Sequence, residues 1–477
     1  MSWSQTPFRL SLSEPVRNLD PHRLRTSAGQ YLNQQLYRNF FRLDEKNRFV
    51  PELGDHCQKK KRKWICTLKR TNKWSDGRPV TAEDFVLSYR RILTLPSPRA
   101  DLLSGIQNAK EILEGQKAAD QLGVRALNAH QLEITWAKPE LAHETVLMSP
   151  LLVPLPQGEF QARVHSGPYT LSEQDLNRVL LQPNPFYYRK NARPPTEWVL
   201  LEENLALEAY RRGELDFVRR IATAMIPSLE ADPGFRRVSF FRLDALLFSR
   251  SLEKKPELRQ ALISNLDYKA LQTLFHSPHR PGCWGVPLEF YEGPELCLNE
   301  SGGPVAKGPQ PVKLNFVYSN LGGDDHRRLA EWLQSQWKEK LQVTLKVQGL
   351  ENKVYLERLK TQPPDLFRRG LSPENPSCWG ALASFTTGHP DNVTSFSDPT
   401  FDRWVSELSA QTPAQQKKTC RRALERLLKS NLVIPTGRFG FAQLLRPGWQ
   451  NVRVNVLNHL DLSELSKKPT ESKTFSK

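Results

Sequence analysis

Short stretches of alternating apolar and polar residues recur between helical patterns of about 10–15 residues along almost the whole chain, and this order constrains the fold more than any other feature. Phe8-Arg-Leu-Ser-Leu12 alternates as a strand with one buried face does. Thr26 to Leu43 follows as a helical pattern with Tyr31, Leu32, Leu36, Tyr37, Phe40 and Phe41 on one side. Further strands are expected at Gln131–Trp136, Asp216–Val218, Leu246–Ser249, Val312–Val317 and Val343–Val347. Helices are expected from Thr81, over Glu257–Asn265, and over Asp324–Leu341 with Leu329, Trp332, Leu333 and Trp337 inward. Such alternation predicts an α/β protein with mainly parallel sheets. A chain of 477 residues also exceeds what one hydrophobic core organises, so at least two packed units are expected.

A net charge of +17, from 68 Lys and Arg against 51 Asp and Glu, first suggests a nucleic-acid partner. The distribution points elsewhere: Arg90-Arg91, Arg211-Arg212, Arg219-Arg220, Arg236-Arg237 and Arg421-Arg422 are spread over the whole length. The one dense run, Lys59 to Lys63, falls where a hairpin turn is predicted. A generally basic surface is the simpler reading, and no stable nucleic-acid partner is expected. The most apolar stretch, His143 to Pro156, is cut by Ser149 and Pro150 and is too short to cross a bilayer as a helix.

Cys57 and Cys66 flank the Lys-rich turn nearly symmetrically, and Cys283 and Cys297 bracket a loop rich in Pro and Gly. Both pairs suit disulfides in an oxidising compartment and equally suit buried thiols. Neither has zinc-ligand spacing, so no metal is expected. The N-terminus enters a strand pattern without a secretory signal, which fits either a cytosolic protein or a mature chain with a start Met added. No nucleophile elbow, metalloprotease helix or phosphate loop occurs, so the chain is not expected to be an enzyme and no cofactor is implied.

One block is far more specific: Trp74-Ser-Asp-Gly-Arg-Pro-Val-Thr-Ala-Glu-Asp-Phe-Val-Leu-Ser-Tyr89. Asp76-Gly77 turns the chain, Pro79-Val80 returns it extended, and Thr81 with Asp84 caps the helix carrying Phe85, Val86 and Tyr89. The block closely resembles the signature of family 5 extracellular solute-binding proteins, the oligopeptide-, dipeptide- and nickel-binding group. Leu36-Tyr-Arg-Asn-Phe40, Phe49-Val-Pro-Glu-Leu53, Ser166-Gly-Pro-Tyr169, Asn184-Pro-Phe-Tyr187 and Asp391-Asn392 match in order, so the resemblance runs from about Phe8 to about Asn458.

This resemblance implies a two-lobed periplasmic-binding-protein fold, type II, with an extra subdomain inserted in lobe 1 and two hinge crossings near Leu243–Phe248 and Phe439–Leu444. Lobe 1 would comprise residues 1–40, 160–245 and 446–477, the insertion 41–159, and lobe 2 246–445. It further implies a monomer, periplasmic or lipid-anchored, that captures a peptide or similarly extended solute and passes it to an ABC transporter permease. The alternative is a ligand-sensing regulator on the same fold, contacting nucleic acid through its basic surface.

The resemblance also nominates ligand-binding residues. Arg38 and Asn39 stand where the family commonly has an acid and Gly, with Phe40 beside them as an apolar wall. The stretch Arg368 to Trp379 matches the family segment that carries an acid for a peptide's free amine; Glu374 falls on that acidic position in an ungapped match, and Ser372 does with a two-residue deletion. Pro373 and Pro376 alter its path. Arg38 and Arg368 would suit a carboxylate or phosphate, Trp379 a second apolar wall, and Asn392 a late motif on the ligand side. A ligand bearing a carboxylate or phosphate is therefore expected.

Overall fold

The computed structural model describes residues 6–46, 48–137, 143–277, 279–298, 312–320, 323–373, 376–389 and 391–468. The chain divides into two compact units: residues 1–221, 231–238 and 442–477 form the first, and residues 222–230 and 239–441 the second.

In the first unit the Phe8–Leu12 strand lies between two parallel neighbours, Thr196–Leu200 and Phe217–Ile221. Arg178–Pro183 and Tyr169–Gln174 continue antiparallel on one side, and the end of Val433–Leu445 pairs antiparallel with Phe217 and Val218 on the other. A separate four-stranded sheet is antiparallel throughout, in the order Gly54–Lys60, Lys63–Leu68, Gln131–Thr135, Val124–Asn128. One hydrophobic cluster joins Phe8, Leu32, Trp64, Phe85, Trp136, Trp198 and Leu465, so the four-stranded sheet shares its core with the rest of this unit.

In the second unit Lys313–Ser319 lies between two parallel partners, Thr344–Leu350 and Leu366–Leu371. The Leu243–Phe248 end of the strand Phe235–Phe248 pairs antiparallel with Leu366–Leu371. The sheets are thus mixed rather than mainly parallel. The expected Leu246–Ser249 strand is the end of a strand of 14 residues, because Phe240, Phe241 and Leu243 extend its buried apolar run backwards.

Local signals set the helix boundaries. Ala82–Thr94 begins with the capping box, in which Thr81 N donates to the Asp84 carboxylate at 2.8 Å. Asp324–Leu341 runs as expected, with Leu329, Leu333 and Trp337 buried, although Trp332 is only half-buried. The helical pattern from Thr26 stops early: Ser27–Leu36 is helix, Tyr37 turns to φ −128°, ψ 158°, and Phe41–Leu43 becomes a strand. Gly167 N donates at 2.7 Å to the carbonyl of Leu36 at this exit. A Cβ on Gly167 would sit 2.4 Å from the Gln35 carbonyl oxygen, so only glycine permits this approach.

All six cysteines are paired, as Cys57–Cys66, Cys283–Cys297 and Cys378–Cys420. Cys57 faces Cys66 in the hairpin register, whereas Cys378–Cys420 ties the helix Cys378–Leu382 to the helix Pro413–Lys429. Chain-entropy reasoning ranks them by loop length. Replacing Cys378 and Cys420 by Ser, across a separation of 42 residues, is expected to cost roughly 4 kcal/mol. The separation of 9 at Cys57–Cys66 corresponds to roughly 2.5 kcal/mol. Urea denaturation of the two double variants checks this ranking, and the reverse order would contradict it.

Candidate functional site

The sequence between Leu36 and Phe41 places three candidates side by side in the first unit. Arg38 is buried because the chain leaves the helix before it, and its backbone N–H donates to Ser166 Oγ at 3.1 Å. Its Nη2 donates to Asp461 Oδ1 at 2.9 Å, and its Nε lies 3.6 Å from Glu52 Oε2. Nη1 donates to the carbonyls of Gln34 and Tyr37. Both terminal nitrogens of the guanidinium are thus hydrogen-bonded within its own unit, while Nε makes only the longer ion-pair approach to Glu52.

Glu52 is the node of this arrangement, fully buried and surrounded by donors. Arg42 Nε lies 2.5 Å from Oε1 and Arg189 Nη2 3.7 Å from it, while the Tyr187 and Tyr188 hydroxyls donate to Oε2 at 3.2 and 3.1 Å. Arg189 continues to Glu464 at 2.7 Å, which Arg453 also contacts at 2.7 Å. Burial opposes charge on Asp461, but Arg38, Arg42 and the Ser463 N–H hold its carboxyl below the ordinary carboxylate value.

Asn39 donates through Nδ2 to the carbonyls of Val146, Ser149 and Leu152, and its Oδ1 accepts from Phe40 N at 2.7 Å. It stitches the 146–152 segment to the strand entry. Phe40 is a core residue with no exposed surface, edge-on to Phe41 and Phe85. It presses so closely on the Phe49–Pro51 exit that a Cβ on Gly54 would meet its ring at 1.9 Å. A cavity of about 610 Å³, counted with its open mouth, adjoins these residues and is lined by Arg38, Arg42, Met148, Pro150, His459 and Asp461 among others.

The second unit holds the remaining described candidates. Arg368 and Asp244 come from paired antiparallel strands, with Leu246 opposite Arg368 and Asp244 opposite Gly370, so both side chains rise from one face. Arg368 Nε lies 3.1 Å and Nη2 2.5 Å from Asp244 Oδ2, which also accepts from Thr436 Oγ1 at 3.0 Å. Burial again opposes charge on Asp244, and Arg368 outweighs it, holding the carboxyl below its ordinary value. Nη1 of Arg368 is buried and has no hydrogen-bond partner among the described residues. Phe275 packs 5.6 Å from the guanidinium carbon.

Asn392 donates to the carbonyls of Phe385, Thr386 and Phe396 and accepts from Thr394, closing the loop in which it sits. Arg369 clamps that loop through Asp391, at 2.5 Å to its carboxylate and 2.8 Å to its carbonyl. Trp379 is half-buried on the short helix capped by Ser377 and tied by Cys378. Glu374 lies outside the described residues. Among the described residues the one grouping with metal-ligand spacing is Cys283, Glu295 and Cys297, whose two sulfurs are joined as a disulfide.

The buried acids Glu52 and Asp244 and the half-buried Asp461 did not stand out in the sequence. Their signal was a lone carboxylate in an apolar run, as in Phe240-Phe-Arg-Leu-Asp-Ala-Leu-Leu-Phe248 and Leu460-Asp-Leu462, since a buried charge requires a partner.

A mixed sheet in each unit, strands passing from one unit to the other, and the turn-and-cap block at Trp74–Tyr89 are the architecture of a solute-binding protein. The family model for bacterial extracellular solute-binding proteins, family 5, matches residues 49–392, and the chain belongs to this family. Its fold is that of the two-lobed periplasmic binding proteins. The chain is 25% identical over 483 residues to the periplasmic murein peptide-binding protein MppA of Escherichia coli, covering 93% of this chain and 89% of that one. It is 26% identical over 489 residues to the periplasmic oligopeptide-binding protein OppA of the same organism, with the same coverage. Among solved structures, Escherichia coli MppA superimposes with a TM-score of 0.84 at 22% identity, covering 98% of this chain and 99% of that one. Haemophilus influenzae OppA, solved in complex with the peptide RPPGFSPFR, gives 0.81 at 20%, covering 98% and 100%.

Two outcomes follow from these environments. Arg38→Ala removes a guanidinium partner from the buried Glu52 and the half-buried Asp461, so it is expected to lower stability by about 3–5 kcal/mol in urea denaturation. Unchanged stability with weakened ligand binding would instead place Arg38 in contact with ligand. Burial lowers His459 and His22 from 6.5 to about 4 and His165 to about 3. The unfolded chain then binds more protons below pH 6.5, so their contribution is full above 6.5 and is lost as pH falls towards 4. His459→Gln is expected to flatten this fall by up to about 1.4 kcal/mol per pH unit; an unaltered slope would show that His459 is not held neutral.

Proposed function

We propose that this chain captures a peptide or peptide-like solute outside the cytoplasm and delivers it to the membrane permease of an ABC transporter. The observation that carries this reading is its likeness along 93% of its length to murein peptide- and oligopeptide-binding proteins. The pairing of all six cysteines supports an oxidising compartment, so the location is periplasmic or membrane-anchored on its outer side. The chain acts by binding, not catalysis: its buried carboxylates are neutralised by guanidinium groups, which suits a rigid scaffold.

Ligand contact is assigned to the second unit's Arg368, Trp379 and the loop closed by Asn392. Arg368 is already charge-balanced by Asp244 yet keeps Nη1 without a partner among the described residues, a donor suited to a carboxylate or phosphate oxygen of the ligand. Arg38, Asn39 and Phe40 serve as framework, and residues 41–159 as the subdomain inserted in lobe 1.

Native mass spectrometry of the protein purified from the periplasm tests this. The expected result is an added mass of a few hundred daltons that fragments as a peptide and is retained more weakly by Arg368→Lys. A co-purified solute that is not a peptide, with no peptide from a mixed pool binding, would overturn it.

A further inference from the structure

The hairpin Gly54–Lys60 and Lys63–Leu68 carries five consecutive basic residues, Lys59, Lys60, Lys61, Arg62 and Lys63, all exposed. Lys60 pairs with Lys63 in register, so Lys61 and Arg62 form a two-residue loop at the tip. Lys61 has φ +42°, a conformation in which Gly or Asn is the ordinary choice. Gly54–Lys60 is an edge strand, and lysines there discourage pairing with another chain. Edge protection accounts for Lys59 and Lys60 but not for Lys61 and Arg62, which lie beyond the last ladder pair.

The charges on this tip are only partly answered. Lys59 reaches Glu144 at 2.6 Å and Lys63 reaches Glu133 at 3.3 Å, an acid already bound by Arg125 at 2.6 Å. The side chains of Lys60 and Lys61 have no ion pair or hydrogen bond among the described residues. The hairpin is also held rigid: Cys57–Cys66 staples its strands just inside the basic run, Trp136 N donates to the Arg62 carbonyl at 2.7 Å, and Arg62 Nε donates to the Trp136 carbonyl at 2.8 Å. Positive charge is thus gathered on a fixed, exposed tip.

We propose that this hairpin tip docks the protein on the anionic lipid headgroups of a membrane surface. Its chemistry favours lipid phosphates over base recognition: lysines at a strand tip are point charges without the aromatic side chains that stack bases, since Trp64 is buried beneath Lys59. The inference goes beyond solute capture and needs no ligand.

Sedimentation of the full chain with vesicles of pure phosphatidylglycerol or pure phosphatidylcholine tests it. Binding is expected to the first and not the second, and to weaken as salt is raised. Each basic residue near an anionic surface contributes roughly a fivefold gain, so Lys60→Ser combined with Lys61→Gly is expected to reduce partitioning by about 25-fold. Both positions are exposed, and Gly suits the φ of residue 61, so folding is retained and circular dichroism verifies it. Equal partitioning to both vesicles, undiminished binding by the variant, or binding to duplex DNA without binding to phosphatidylglycerol would each overturn the proposal.

Discussion

The carboxyl group of Glu52 has no contact with solvent, and five side chains from separate segments of the first unit converge on it. Burying a carboxyl group without partners costs a large share of a domain's net stability, so its surroundings are dictated. Arg38 arrives from the helix exit, Arg42 from the following strand, Arg189 and the two tyrosines from the far end of the Tyr169–Pro183 hairpin. Asp461, near the end of the chain, completes the balance through Arg38. The network fastens segments that are distant in sequence, which explains why the helix must stop at Leu36. A helix continued to Leu43 would carry Arg38 away from both acids.

The second unit solves the same problem on a smaller scale, with Asp244, Arg368 and Thr436 drawn together by three strands. Positive charge is in excess over the whole chain, yet the interior of each unit pairs carboxylate with guanidinium. The surplus therefore lies outside, and the Lys59–Lys63 hairpin is its densest run in the sequence. This distribution separates two roles that the sequence merges: buried arginines hold the scaffold, while exposed lysines shape what the surface meets.

Features governed by neighbours in sequence were legible. The Thr81–Asp84 capping box, the facing Cys57 and Cys66, and the amphipathic Asp324–Leu341 helix each follow from spacing alone. Features that join remote segments were not. Cys378–Cys420 spans two helices, Asp244 and Arg368 are 124 residues apart, and Arg38 and Asp461 are 423 apart. Arg38 stood out against the family pattern and Arg368 as a possible anion-holding group, but their partners were hidden, so cleft-facing and buried readings looked alike. Phe40 and Asn39 show the same limit, since a family motif marks a position without saying which way its side chain turns.

A double-mutant cycle on Arg38 and Glu52, with Arg38→Met and Glu52→Gln read by urea denaturation, tests the central claim most directly. The account predicts a coupling energy well above the roughly 0.2–1 kcal/mol of exposed ion pairs, with each single variant more destabilising than half of the double. Additive losses, with coupling near zero, would contradict it and would release Arg38 to serve a ligand.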